Sequence, residues 1–143
     1  VPAATKLFHY CADLNAYRDD AHMAAFTPHH IEAYVWEAFS LVWRGPATSA
    51  DAIYDQLAHR GYAREDYARA LAELHARGWI EPAGEAGNFR ATDAGRAVRD
   101  DAERLTDTYF YMPWQVLAND EQDALRRCMT DLFERCRAIV GEG

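Results

Sequence analysis

At 143 residues and 16.2 kDa the chain has the size of one ordinary domain. It is 50% hydrophobic and 27% charged, the balance of a soluble globular protein. Fifteen Lys and Arg against 23 Asp and Glu give a net charge of −8, which argues against gripping nucleic acid or an anionic membrane by bulk charge and leaves room only for a local basic patch. Mean hydropathy is −0.42, and no apolar run approaches the roughly 18 residues that a membrane span needs. The opening Val1-Pro2-Ala3-Ala4 has neither a basic segment nor an apolar signal core. It also lacks an initiator Met, so the expectation is a processed, trimmed or partial chain. Cys11, Cys128 and Cys136 form no C-x-x-C pair. Reduced thiols and a cytoplasmic location are expected.

Leu7, Tyr10, Leu14, Tyr17, Ala21 and Ala24 step by 3 and 4, which predicts a long first helix from about Ala4 to Ala25. Phe26-Thr27-Pro28 breaks it, with Thr27 placed to cap a second helix and Pro28 at its first position. That helix carries Ile31, Tyr34, Val35, Ala38, Phe39 and Val42 on a wide apolar face and ends at Gly45-Pro46. Thr48-x-x-Asp51 resembles a capping box for a short third helix with Ile53 and Leu57 inward. Gly61 makes a turn. A fourth helix runs from about Arg64 to Arg77, with Tyr67, Ala70, Leu71 and Leu74 inward, and stops at Gly78.

Trp79-Ile80-Glu81-Pro82 and Asn88-Phe89-Arg90-Ala91 read as two short strands around a Gly-rich tip. Thr92 caps a fifth helix, whose stripe is Val98, Asp101, Leu105, Thr108 and Met112, and Pro113 ends it. Asn119 with Gln122 opens a sixth helix carrying Leu125, Cys128, Met129, Leu132, Cys136 and Ile139. On these apolar stripes Cys11 and Cys128 are expected to be inert core thiols.

Helix, short helix, Gly turn, helix, two-stranded wing, long helix is the order of a winged helix-turn-helix. The fold class expected is therefore mainly α, with long N- and C-terminal helices around the winged unit. The whole chain, 1–143, reads as a single domain: N-terminal helices over 1–43, helix-turn-helix and wing over 48–96, C-terminal helices over 97–143. Leu74-His75-Ala76-Arg77-Gly78-Trp79-Ile80 and Ala91-Thr92-Asp93-Ala94-Gly95-Arg96 resemble the end of the recognition helix, the wing and the start of the next helix in MarR-type regulators. The resemblance implies a dimer interlocked through its terminal helices, DNA binding through the winged units, and a pocket for phenolic ligands between the two. The wing lacks the Asp-x-Arg tip common in that family.

A closer resemblance covers nearly the whole chain. Leu7-Phe8-His9, Arg18-x-Asp20-x-His22-x-Ala24-Ala25, Gly61-Tyr62, Ala70-x-x-x-Leu74, Arg77-Gly78, Thr92-Asp93-Ala94-Gly95-Arg96-Ala97, Thr106-Asp107 and Pro113-Trp114 are similar, in order, to the C-terminal half of the SalK-like helix-turn-helix proteins of actinobacteria. Whole members of that family carry another half ahead of this one. The resemblance therefore offers that half, or a second copy, as the partner of the terminal helices.

The residues expected to meet double-stranded DNA are Arg60, Arg64, Arg69, Arg90 and Arg96. Arg69 stands on the exposed face of the fourth helix as the best base-edge reader, and Arg90 on the wing as the best phosphate contact. The charge balance opposes them: from Ser49 to Arg96 six basic residues face eight acidic ones, whereas counterion release needs several cations on one surface. The alternative is a winged helix used as a scaffold for a ligand, a peptide or another chain. Arg18 and His22, at i and i+4, share a helix face suited to a carboxylate or phosphate. Tyr34, Trp36, Tyr109, Tyr111 and Trp114 would line an apolar pocket for a small aromatic ligand. Ordinary core packing explains the same aromatics. No convergent metal ligands, phosphate loop, nucleophile–base pair or cofactor motif is present, so no metal, cofactor or catalytic residue is expected.

Overall fold

The computed structural model describes residues 1–141. The chain divides into two compact units, Val1–Asp107 and a second one that begins at Thr108.

The first helix, α1 (Ala3–Phe26), buries only Ala21, Ala25 and Phe26, all at its C-terminal end. Leu7, Tyr10, Leu14 and Tyr17 remain exposed, and Ala25 rather than Ala24 turns inward. The stripe read from the sequence is a genuine helical face, but the rest of this unit covers only its last turns. Thr27 does not cap the second helix. Its hydroxyl donates back to the Met23 carbonyl (2.6 Å) and closes α1. Pro28 sits in a 3-10 turn, Thr27–His29, and His30 follows in the left-handed region at φ +49°. That reversal delays α2 to Ala33–Arg44, leaving Ile31 ahead of it.

α2 buries Val35, Trp36, Ala38, Phe39 and Val42 and forms the centre of the unit, as its wide apolar face predicts. Burial of a side chain such as Phe39 contributes roughly 1.5–3 kcal/mol. α3 (Ala50–Leu57) is capped by Ser49, whose Oγ accepts from the Ala52 N–H at 3.3 Å. Thr48, the expected cap, is used elsewhere. Its carbonyl accepts from the Phe89 N–H (2.9 Å) and its hydroxyl donates to Asn88 Oδ1 (3.1 Å), tying the segment before α3 to the wing. Ile53 and Leu57 point inward. Gly61 takes φ +80°, a backbone conformation that costs a Cβ-bearing residue energy, and so permits the tight turn into α4 (Arg64–Ala76). α4 buries Tyr67, Ala70, Leu71 and Leu74, the four residues its periodicity selects.

The wing pairs β1 (Ile80–Pro82) with β2 (Phe89–Ala91) antiparallel, with Ile80 opposite Ala91 and Glu81 opposite Arg90. Thr92 then does what the sequence suggests: its Oγ1 accepts from the Gly95 N–H (3.0 Å) and donates to the Gly78 carbonyl (2.7 Å). α5 (Asp93–Tyr111) starts there. Its buried face is Gly95, Arg99, Ala102 and Thr106, not Val98, Asp101 and Leu105. Gly95 lets the start of the helix approach the Trp79 backbone, and Arg99 reaches over the Trp36 and Trp43 rings, which turns this face inward ahead of the larger aliphatics one position away.

In the second unit a 3-10 turn, Met112–Val116, holds Pro113 and Trp114. α6 (Asn119–Gly141) begins where Glu121 accepts from the Ala118 N–H (2.8 Å); Gln122 instead donates to the Trp114 and Leu117 carbonyls. Leu125, Met129, Phe133 and Ile139 are exposed on α6. So are Cys128 and Cys136, while Cys11 is half-buried. The core-thiol expectation for Cys128 is corrected: this unit is one long helix behind a short turn and offers no second layer to bury that face. Among the described residues no helix is long and apolar enough to cross a membrane.

Candidate nucleic-acid interface

The five arginines expected at DNA are spread over the turn before α4, α4, the wing and the start of α5. Arg60 sits in the 3-10 turn between α3 and α4, Arg64 at the first position of α4, Arg69 on its exposed face, Arg90 on β2 and Arg96 in the first turn of α5. Four of them are already engaged. Both Arg60 Nε and Nη2 donate to Glu37 Oε1, at 3.0 and 2.7 Å. Arg64 pairs with Asp51 and lies over the Tyr54 ring, 4.9 Å from its centroid. The hydrogen bond to Asp51 is the first cause that raises its pKa. Arg69 pairs with Asp66 one turn back, not with Glu65 or Glu73. Glu73 is taken by Arg77 Nε and Nη2, while Nη1 donates to the His29 carbonyl and Nη2 also to the His30 carbonyl, which fastens the end of α4 to the α1–α2 connection. Arg90 pairs across the wing with Glu81 at 2.7 Å. Arg96 is exposed and makes no ion pair among the described residues.

These pairs lie in solvent. The Arg69 and Arg90 side chains are 68% and 66% exposed. An exposed pair contributes roughly 0–1 kcal/mol, so a phosphate can take over such a guanidinium at small cost. Arg90 and Arg96 come together in one open cleft of about 370 Å³ at the base of the wing, lined also by Glu81, Thr92 and Asp93.

The residues expected to hold a ligand separate into three groups. Arg18 and His22 on α1 and Trp36 on α2 meet beside α5. Trp36 Nε1–H donates to His22 Nε2 (3.0 Å). Nε2 is thus an acceptor, so His22 carries its proton on Nδ1 and donates it to Thr106 Oγ1 (3.0 Å), which in turn donates to the Ala102 carbonyl (2.7 Å). Burial pushes the His22 pKa below its ordinary value. Arg99, Arg18 and Arg44 push it the same way, and Glu103 opposes them. Arg18 stands 3.8 Å from both Glu103 and Asp107, a loose ion pair with each.

Trp36 is 2% exposed and packs in an aromatic core, stacked with Phe26 and His29 and edge-on to Phe39 and Trp79. Tyr34 belongs to a second cluster, stacked on Tyr62 and edge-on to Tyr67. In the second unit Tyr109 and Trp114 are half-buried and Tyr111 is exposed, with Phe110 in ring contact with Tyr111 and Trp114.

Sequence reasoning missed Arg99. It is 1% exposed, stacked over the rings of Trp36 and Trp43 at 4.3 and 5.0 Å from their centroids. Nη2 donates to Glu103 (2.8 Å), whereas Nε and Nη1 have no partner among the described residues. Burial pushes its pKa down to about 10, so it stays charged at neutral pH. The signal that would have found it is the Gly95–Arg99–Ala102–Thr106 spacing.

A family model described as a helix-turn-helix family matches residues 2–141. No curated protein matches the chain. Among solved structures the chain is similar to a transcriptional regulator of Thermotoga maritima, at 9% identity and a TM-score of 0.82, over 94% of this chain and 96% of that one. The MarR repressor of Listeria monocytogenes is similar at 9% identity and a TM-score of 0.80, over 94% of each chain. A MarR family protein of Mycobacterium tuberculosis, solved in complex with DNA, is 17% identical with a TM-score of 0.57, over 92% of this chain and 98% of that one; the same protein has also been solved with p-aminosalicylic acid. The element order, the wing register and these alignments describe one MarR-like winged helix, and the chain belongs to the helix-turn-helix family whose pattern it carries from residue 2 to residue 141.

Proposed function

We propose that the chain is a DNA-binding transcriptional regulator of the MarR type, working in the cytoplasm and tuned by a small apolar or aromatic ligand. The single observation that carries DNA binding is the winged helix itself, with Arg69 on the open face of α4 and Arg90 and Arg96 sharing the cleft at the base of the wing. A protein of this fold has been solved on DNA and also with p-aminosalicylic acid, which supports the duplex and the small ligand as the two partners here. The match of short segments along the chain supports a SalK-like subgroup within the family.

The exposed apolar residues of α1 and α6 support self-association, or pairing with the additional half that SalK-like proteins carry. A sedimentation run at micromolar concentration that shows only a 16.2 kDa species contradicts the homodimer.

Arg69 and Arg90 separate in experiment. Arg69→Ala is expected to cost roughly 1–3 kcal/mol and to blur the preference at one base position. Arg90→Ala is expected to weaken binding to all sequences about equally and to lower the salt slope by roughly one. Titration of each variant against a selected site and a scrambled duplex checks both. Equal losses on the two duplexes for Arg69→Ala would remove it as a base reader.

One observation favours a second reading, a scaffold that does not bind DNA. Four of the five candidate arginines already hold carboxylates, and the segment from Ser49 to Arg96 has more acidic than basic residues.

A further inference from the structure

Arg69 lies on the exposed face of α4 with Glu65, Asp66 and Glu73 at helical spacing around it, and it pairs with Asp66. Glu73 is withdrawn. Arg77 takes it through Nε and Nη2 (3.0 and 2.7 Å) and is itself anchored on the His29 and His30 carbonyls. Asp66 stands in a fixed place. Its Oδ2 accepts the Ala63 N–H (2.7 Å), its own N–H donates to the Ala63 carbonyl (3.1 Å), and its Oδ1 accepts from Arg69 Nη2. Of the four carboxylates that hold candidate arginines it is the least exposed, at 24%. Already held by the backbone, it loses little further freedom by holding Arg69. Nη2 is the one Arg69 nitrogen engaged among the described residues. A guanidinium carries N–H donors along two edges, so one contact leaves a parallel pair free. The exposed neighbours Ala68 and Ala72 end at a methyl group, which lets a base edge come close.

We propose that Asp66 is a positioning residue that holds Arg69 to read guanine at one base pair of the DNA site. This rests on the DNA-binding reading above and names the base that reading leaves open. Guanine is selected because its major-groove edge offers two acceptors, O6 and N7, to two parallel N–H donors, whereas adenine sets an amino donor beside N7. An unrestrained arginine on an open helix face meets phosphates as readily as bases. One held at Nη2 by a fixed carboxylate presents its free pair in one direction, and the carboxylate beside it repels phosphates. Asp66 therefore lowers general affinity and raises preference, within a segment where acidic residues exceed basic ones.

The probes are a duplex that the unmodified chain selects from a randomised pool, its single-base-pair variants, and a mixed-sequence duplex, all followed by fluorescence anisotropy. The position at which Arg69→Ala loses preference is expected to be a G·C pair. Asp66→Asn keeps an acceptor for the Ala63 N–H and removes the charge. It is expected to lower discrimination at that pair alone by about tenfold, and to bind the mixed-sequence duplex as tightly as the parent or more tightly. A role confined to capping α4 would instead weaken both. Arg69→Lys, at an exposed position that folding does not depend on, keeps the charge and loses the paired donors. It is expected to show the same loss at the same pair, and it tests the guanine contact even where Asp66→Asn fails to fold by circular dichroism. A parent chain that binds no duplex at all removes the DNA reading itself. With binding present, the absence of a preferred sequence, an A·T pair at the Arg69 position, full discrimination in Asp66→Asn or Arg69→Lys, or an equal change on every duplex would each overturn the assignment.

Discussion

Gly95→Ala is expected to destabilise the protein by about 3 kcal/mol, among the largest losses from any single methyl group in this chain. A Cβ at Gly95 would lie 2.0 Å from the Trp79 carbonyl oxygen and 2.8 Å from its carbon. Both are backbone atoms, and the same carbonyl oxygen is pinned by the Thr92 N–H at 3.0 Å, so it cannot swing aside. Alanine in a helix is ordinarily worth about 0.5–1 kcal/mol more than glycine, but the clash is the larger effect. The methyl would push α5 off the wing, break the Thr92 cap and tilt the helix whose inner face carries Arg99 and Thr106. Urea unfolding followed by circular dichroism checks this. A variant as stable as the parent would mean that the wing and α5 pack less closely than described.

His22→Ala is expected to cost about 3 kcal/mol, combining a lost side chain with an orphaned donor. Trp36 is 2% exposed, and its indole N–H loses its protein acceptor once His22 is gone. The same site gives a pH dependence of known sign. The folded His22 pKa lies below the ordinary histidine value of 6.5, chiefly through burial. The unfolded chain therefore binds the proton first as pH falls. The stability contributed by neutral His22 is present above about 6.5 and is lost as pH falls through the lower, folded value. Protonation would also set an N–H at Nε2 against the Trp36 N–H, so the acid form cannot keep the chain of hydrogen bonds. His22→Gln retains one acceptor and one donor without titrating. The stability advantage of the parent over His22→Gln is expected to shrink as the pH is lowered from about 7.5 to about 5. A difference that stays constant across that range would show that His22 does not titrate as described.

The winged unit was legible in the sequence because its signals are local. Tyr67, Ala70, Leu71 and Leu74 lie at helical spacing before a glycine, the strand pair flanks a Gly-rich tip, and Thr92 stands where a cap must stand. Less legible were the choices that tertiary contacts decide. Thr48 and Ser49 are equally good caps by type, and Ser49 prevails because the Thr48 carbonyl and hydroxyl are drawn to the wing. Val98 and Leu105 outrank Arg99 and Thr106 by hydropathy, yet the face that turns inward is the one on which Gly95 meets the Trp79 backbone. Periodicity likewise marks an apolar stripe on α1 and α6 without saying whether anything in the chain covers it.

The candidate interface was legible as positions and not as energetics. Sequence places Arg60, Arg64, Arg69, Arg90 and Arg96 on the helix-turn-helix, the wing and the start of the next helix, and the excess of acidic residues is visible beside them. That Arg69 chooses Asp66, or that Arg90 and Glu81 face each other across the wing, depends on register and rotamer. The buried position of Arg99 is a placement that hydropathy argues against.

DNA binding is tested most directly on the unmodified chain, by fluorescence anisotropy with a mixed-sequence duplex at about 50 mM salt, where counterion release is strongest. If the winged helix is a DNA reader, its exposed ion pairs open to phosphates. Binding then appears in the micromolar range and weakens with added salt, with a slope set by the number of arginines that reach phosphates. Absence of any binding at tens of micromolar protein would contradict the regulator and leave the winged helix as a scaffold.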